Sequence, residues 1–417
     1  MRIAIYHNLP SGGAKRALRE EMRRLALRHE LDVFTLSSAD QDFADVRPYA
    51  ARHQVYPFKP SSLLSSPFGR ANQIIRLFDL RRLRHLGQRV ADDIRRGGYD
   101  VAFVHPCMVE IAPSVLSHLQ PKPTVYFCQE PPRLIYEAMP DRPYSAASGH
   151  RAAFNRLDPL PRLYRSVLAQ GDRTNTRAAS RVLVNSEFAK AGIDPIYGIH
   201  AFVSYLGVDV DWARPGGRER EPFVLSVGSL TPLKGFDFLI RALAQLPADR
   251  RPPLIIASNF QSPPESAFLA DLARESGVDL TLAGNVSDTE LAGFYRRARV
   301  VAYAPIREPF GLVALEAMAS ATPIVAVAEG GIPETVIHEN TGLLTRRSEG
   351  EFATALLRVY EDRELADRLG SAGRRHVLRS WTWDGAVATL EQHLQAVVAG
   401  DSADAEVMAS AATQVSP

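Results

Sequence analysis

The feature that most constrains this chain is a double series of short strand-like runs, each separated from the next by a stretch with helical spacing. The first series comprises Arg2–Tyr6, Leu31–Leu36, Val101–His105, Thr124–Cys128, Arg181–Asn185 and Phe202–Tyr205. The second comprises Phe223–Gly228, Leu254–Ser258, Leu280–Gly284, Val300–Pro305, Pro323–Val327 and Leu343–Thr345. Strands alternating with helices predict α/β architecture with parallel sheets, because parallel neighbours need a crossover long enough for a helix. Two series imply two sheets. Between them Gly207–Glu221 carries Gly, Pro and charge with little periodicity, the composition of a linker. The expected division is 1–206, 207–380, a terminal helix over 381–397, and a disordered tail over 398–417 rich in Ala, Ser and Asp.

A chain of 417 residues, 46% hydrophobic and 23% charged, is long enough for two ordinary domains with separate cores. A net charge of +2 with no basic tail gives no pull toward nucleic acid, so no nucleic-acid partner is expected. Cys107 and Cys128 are too few for a secreted disulfide framework, and no Cys/His cluster has zinc spacing. A reducing cytosol fits best. Met1-Arg2 runs directly into the first strand-like run, so the mature protein is expected to start at Met1. No apolar stretch approaches the roughly 20 residues that span a bilayer.

Glu308-Pro309-Phe310-Gly311-Leu312 leads into Glu316, with Leu312, Leu315 and Met318 as apolar positions of a helix packed on a sheet. The two carboxylates are spaced to touch different parts of one extended ligand, and the free amides of the helix start suit an anion. From these residues alone, a loop carboxylate and a solvated helix charge fit as well. The segment Phe223–Phe236 reads as a buried strand ending at Gly228, then a short loop, with Lys234 at the beginning of the next helix. A cation there opposes the helix dipole by about 0.3–1 kcal/mol unless an anion lies between them. A diphosphate resolves the conflict; a solvated lysine on a loop is the alternative. After the first strand, Gly12 and Gly13 precede a helix and allow close approach of backbone amides to a ligand, or make a simple tight turn. The dinucleotide fingerprint lacks its third glycine.

The ordered motifs resemble the retaining glycosyltransferases of family 4, over most of Met1 to about Leu394. They are the Gly12-Gly13 loop, Val184-Asn185-Ser186-Glu187-Phe188, Leu206-Gly207-Val208-Asp209, Gly228 through Lys234-Gly235 and Gly284-Asn285-Val286. Glu308 to Glu316, Gly330-Gly331-Ile332-Pro333-Glu334 and Asn340-Thr341-Gly342-Leu343-Leu344 complete the series. The resemblance implies the GT-B fold of two Rossmann-like domains facing a cleft, an N-terminal acceptor domain, a C-terminal nucleotide-sugar donor domain, and a terminal helix crossing back onto the first half. It implies transfer of a hexose with retention from a nucleotide-diphosphate sugar to a hydroxyl of a glycan or lipid-linked acceptor, without a metal or other cofactor.

Carried onto matching positions, Lys234 binds the diphosphate, Glu316 the ribose and Glu308 the donor sugar, with Phe310, Gly311 and Leu312 aiding through their amides. Gly12, Gly13 and Ser229 complete the donor side, and His105 matches the histidine placed beside the donor sugar. Ser229 stands where many relatives have Arg, a weaker phosphate partner than a guanidinium; Arg307 is a candidate to compensate. Asp209-Val210-Asp211 has the D-x-D spacing of metal-dependent transferases but falls in the linker. For the acceptor, Glu130 and Arg133 lie just beyond a strand of the first half. Arg70–Arg96 mixes arginines with Ile74, Leu77, Phe78 and Leu83, fitting either an anionic membrane or an ordinary solvated helix face. A sugar-nucleotide epimerase and a non-catalytic sugar-nucleotide-binding protein are the alternatives to a transferase.

Overall fold

The computed structural model describes residues 1–64, 71–129, 133–136, 139–145, 158–216 and 219–400. The first half contains strands β1 (Arg2–Asn8), β2 (Glu30–Leu36), β3 (Arg52–Tyr56), β4 (Val101–Cys107), β5 (Thr124–Gln129), β6 (Arg181–Val184) and β7 (Phe202–Val203). Its helices are α1 (Gly13–Leu25), α2 (Asn72–Arg96), α3 (Val115–Leu119), α4 (Arg133–Tyr136), α5 (Leu160–Arg177) and α6 (Glu187–Tyr197). In the second half the strands are β8 (Glu221–Val227), β9 (Leu254–Ser258), β10 (Leu280–Gly284), β11 (Ala298–Tyr303), β12 (Ile324–Val327) and β13 (Leu343–Thr345). The helices there are α7 (Phe236–Ala244), α8 (Pro263–Glu275), α9 (Asp288–Arg297), α10 (Leu312–Ala319), α11 (Ile332–Thr335), α12 (Glu349–Glu361), α13 (Arg363–Ser380) and α14 (Trp383–Val398).

Every ladder within the two sheets is parallel, as expected for α/β architecture. The first sheet has the order β3-β2-β1-β4-β5-β6-β7 and the second β10-β9-β8-β11-β12-β13. Each chain order reverses beside its first strand, so the crevices open beyond the carboxyl ends of β1 and β4 in one sheet and of β8 and β11 in the other. One strand escaped the sequence reading: Arg52–Tyr56 is polar and half-exposed at the sheet edge, so it lacks the apolar run that marks a buried strand. Phe202–Val203 is shorter than expected.

Alternation along the strands sorts their side chains. Ile3, Ile5, Val101 and Phe103 pack with Leu18 and Met22 of α1, while Ala4, Tyr6, Ala102 and Val104 pack with Leu83, Val90 and Ile193 of α2 and α6. In the second sheet Val224, Ile256 and Val300 face α7 and α12, and Leu225, Val301 and Tyr303 face α9 and α10. Each side chain of this size contributes about 1.5–3 kcal/mol when fully buried, so both sheets are firm platforms for the loops at their ends.

The chain passes between the halves twice, side by side. Val208 N–H donates to the Trp381 carbonyl at 2.9 Å, and Val208 bridges to Thr382. Thr382 caps α14 by accepting from Gly385 N–H, and α14 then packs on α1, β4 and β5 of the first half. Residues 401–417, assigned above to the tail, lie outside the described residues.

Candidate functional site

The crevice beyond β8 and β11 is faced by the turn after β1, and together they enclose a cavity of about 360 Å³. Gly12, Gly13 and Arg16 line it from the first half; Gly228, Ser229, Lys234, Glu308, Gly311, Leu312 and Glu316 line it from the second. Nearly every residue assigned to donor binding on sequence grounds thus converges at one place, from loops following three different strands.

Lys234 does not start α7; it closes a 3₁₀ turn, Pro232–Lys234, two residues before Phe236 begins the helix. Its Nζ donates to Glu308 Oε2 at 2.8 Å, with the two side chains 25% and 18% exposed, so the pair is open to the cavity on one side. Glu308 is held through its backbone. The Gly331 N–H donates to the Glu308 carbonyl at 2.8 Å, and a Cβ on Gly330, at φ +67°, would stand 2.0 Å from that same oxygen. Gly330-Gly331 is therefore the support on which the Glu308 loop rests.

Gly311, at φ +94°, makes the sharp entry into α10, and no side chain caps the first turn. The uncapped amides of Leu312 and Val313 border the cavity. Glu316, one turn into this helix, accepts from the Tyr295 hydroxyl at 2.7 Å, and Arg16 Nη1 lies 3.9 Å from its other oxygen. Burial pushes the Glu316 carboxyl above the ordinary carboxylate range, while Arg16 and the Tyr295 hydrogen bond oppose the shift. Phe310 is 2% exposed and its ring sits 5.6 Å from Trp381 and 6.2 Å from Tyr205, so its side chain anchors the loop at the crossing between the halves.

His105 lies away from the cavity. It continues the Val101, Phe103 face of β4, so its ring turns inward under α1, packs 4.5 Å from Phe103, and is fully buried. It does not line the cavity; Glu21 Oε2 lies 3.5 Å from its Nε2. Burial and the nearby Lys15 push His105 down to about 3, and burial pushes Glu21 up to about 8, so the two meet as neutral groups. Arg307 is also not a cavity residue: its guanidinium lies 5.5 Å over Phe188. Arg133 donates to the carbonyls of Ile306, at 2.7 Å, and Arg307, beside Glu308. Glu130 lies outside the described residues. In the linker Asp209 accepts from the Asp211 and Trp212 amides, and Asp211 pairs with Arg214.

Arg16 was missed in the sequence. It stands in the first turn of α1, which has no acidic residue, and so poses the same conflict with the helix dipole that marked Lys234. Its guanidinium crosses the cleft to Asp288 and toward Glu316.

The profile of the glycosyl transferases group 1 matches residues 211–376. The chain is 33% identical over 283 residues to a GDP-mannose-dependent alpha-(1-6)-phosphatidylinositol monomannoside mannosyltransferase of Mycobacterium tuberculosis, covering 61% of this chain and 69% of that one. It is 38% identical over 177 residues to a D-inositol 3-phosphate glycosyltransferase of Corynebacterium aurimucosum, covering 40% of this chain and 41% of that one. In fold it is similar to sucrose-phosphate synthase of Thermosynechococcus elongatus, with TM-score 0.73 and 22% identity over 96% of this chain and all (100%) of that one. It is also similar to HepE of Anabaena, solved with UDP and glucose, with TM-score 0.67 and 18% identity over 95% of this chain and 99% of that one. With two parallel α/β sheets meeting at a cleft in the GT-B arrangement, and a relative matched over more than two thirds of its length, the chain belongs to the group 1 glycosyltransferases.

Proposed function

We propose that this glycosyltransferase moves a hexose from a nucleoside-diphosphate sugar to a hydroxyl acceptor with retention of anomeric configuration and without a metal. The observation that carries the reading is the Lys234–Glu308 pair, open to a cavity that Glu316 and the α10 amides also border. In this assignment Lys234 and the uncapped amides of α10 receive the diphosphate, Glu316 the ribose hydroxyls and Glu308 the sugar hydroxyls. As the bond from the anomeric carbon to the diphosphate oxygen breaks, negative charge grows on the leaving group, and a preorganised cation and amides stabilise it where it develops. The acceptor oxygen bonds to the anomeric carbon on the same face, and its proton passes to the departing phosphate oxygen. Positioning both substrates between the halves supplies the remaining advantage.

A hexose donor is supported by the names of two related proteins, one dependent on GDP-mannose and one solved with UDP and glucose. A lipid-linked acceptor is supported by the first relative's name and by an exposed face of the N-terminal half. There Ile74 and Phe78 of α2 are 56% and 59% exposed, with Arg81 on the same side of the helix, and Leu163 of α5, next to Arg162 in the chain, is 50% exposed. Exposed apolar side chains with arginine beside them suit the interface of an anionic bilayer. Among the described residues no helix is long and apolar enough to cross a membrane.

The test is a panel of UDP-, GDP- and ADP-hexoses scored for thermal stabilisation, followed by acceptor trials and assignment of the product anomer by NMR. An α-linked donor should give an α-linked product at an unchanged rate in EDTA. An inverted product, or loss of activity in EDTA, overturns the corresponding part. Sedimentation with phosphatidylglycerol vesicles, against phosphatidylcholine ones, tests the membrane face.

A further inference from the structure

Glu316 is the most enclosed carboxylate of the cavity. From α9 it faces Tyr295, which donates to it at 2.7 Å, and Asp288, whose charge opposes its ionisation. From β11 it faces the Tyr303 hydroxyl, and the Lys234–Glu308 pair borders the same cavity. The cation nearest to it comes from the other half of the molecule: Arg16 of α1, with Nη1 3.9 Å from Oε1 and Nη2 on Asp288. The Arg16 guanidinium is further fixed over the Phe43 ring, 5.4 Å away, and its side chain is 26% exposed. Lys234, the other cation on the cavity wall, is already bonded to Glu308.

Accepting the assignment of Glu316 to the ribose made above, we propose that Arg16 is a positioning residue for the donor: reaching across the cleft, it holds the Glu316 carboxylate aimed at the ribose, so that tight donor binding requires the two halves to be together. The Asp288 carboxylate holds the guanidinium at the correct reach and, standing at the start of α9, is itself favourably placed for that helix dipole. Burial raises the pKa of Glu316 and Arg16 lowers it, so the functional form persists to lower pH with the arginine present.

The test is the pH dependence of kcat/KM for the donor in wild type, Arg16→Ala, Arg16→Lys and Glu316→Gln, with thermal unfolding of each as a fold control. Arg16→Ala should lose about tenfold or more in donor kcat/KM near neutral pH, the loss of one charge-assisted contact. Its acid limb should move to higher pH, and Arg16→Lys should return that limb most of the way. Should Arg16→Ala fail to fold, Arg16→Gln is read by the same limb. An acid limb identical in wild type and the Arg16 variants, but absent in Glu316→Gln, overturns the role of Arg16 alone. A limb that survives in Glu316→Gln instead removes Glu316 from the ribose, and this inference falls with it.

Discussion

Lys234 Nζ and Glu308 Oε2 are hydrogen-bonded at 2.8 Å, joining the loop after β8 to the loop after β11 across the switch point of the second sheet. Without a ligand each neutralises the other. In the proposed function, a diphosphate entering the cavity would compete with Glu308 for the ammonium and release Glu308 toward the sugar.

Replacing the ammonium should therefore cost binding of the nucleotide itself. Lys234→Ala is expected to weaken nucleoside-diphosphate affinity by about 1.5–3 kcal/mol, the range for a hydrogen bond to a charged group. Glu308→Gln, which leaves Lys234 free for phosphate, should keep that affinity and lose transfer. Isothermal titration and initial rates separate the two, and equal affinity in wild type and Lys234→Ala would refute the phosphate assignment.

Gly330 touches the site only through the backbone of Glu308. In Gly330→Ala the new methyl meets the Glu308 carbonyl, and the left-handed backbone alone costs about 1–3 kcal/mol. Both the unfolding midpoint and the transfer rate should fall, as measured by calorimetry and initial rates. A variant with unaltered kinetics would mean that the loop does not rest on this glycine.

Arg142 reaches from the segment 139–145 into the second half, where it donates to Glu265 at 3.1 Å and Asp237 at 3.0 Å and stacks 5.1 Å from Phe268. Glu265 is 0% exposed. Removing the guanidinium takes the cation from the fully buried Glu265, which keeps only the Tyr144 hydroxyl, while Asp237 keeps Arg241, so Arg142→Ala should lose about 3–5 kcal/mol in urea unfolding. Adding Glu265→Gln to it should recover part of the loss, and no recovery would argue against a charge effect.

Glu334 of α11 accepts from the Glu187 and Phe188 amides, both at 2.9 Å, at the start of α6 in the other half, while Ser186 accepts from Ala189. Three first-turn amides of α6 are thus satisfied, two of them across the halves. Glu334→Ala should destabilise by about 0.5–2 kcal/mol, the usual range for a lost N-cap. Urea unfolding that matches wild type would show that solvent replaces this cap at no cost.

Glu21 gives the chain a pH dependence of stability. Its folded-state pKa of about 8 lies above the ordinary 4.5, so the native state holds a proton that the unfolded chain releases in between. This contribution is complete below the lower value and is lost as pH rises through the higher one. Glu21→Gln should remove the dependence. Measured by denaturant unfolding, the variant should gain on wild type between about pH 5 and about pH 8.5. A constant difference would show that Glu21 ionises without cost where it sits.

Much of this was legible in the residues. Strand-like runs alternating with helical spacing are local properties, and they specified two parallel α/β sheets. Arg52–Tyr56 escaped because an edge strand needs no apolar run. Arg16 carries a legible signal, a cation in the first turn of a helix that has no acidic residue.

The sequence alone determined which elements form and which loops carry chemistry, since period, turn residues and caps act within a few positions of the chain. Only the tertiary structure decided where side chains end up when distant segments meet. It turned His105 inward with the face of β4 that α1 covers, stacked Phe310 against Trp381, and carried Arg16 across the cleft to Glu316. The physical reason is that strand alternation leaves two faces available, and packing against a remote helix, rather than any local preference, selects the one that each residue occupies.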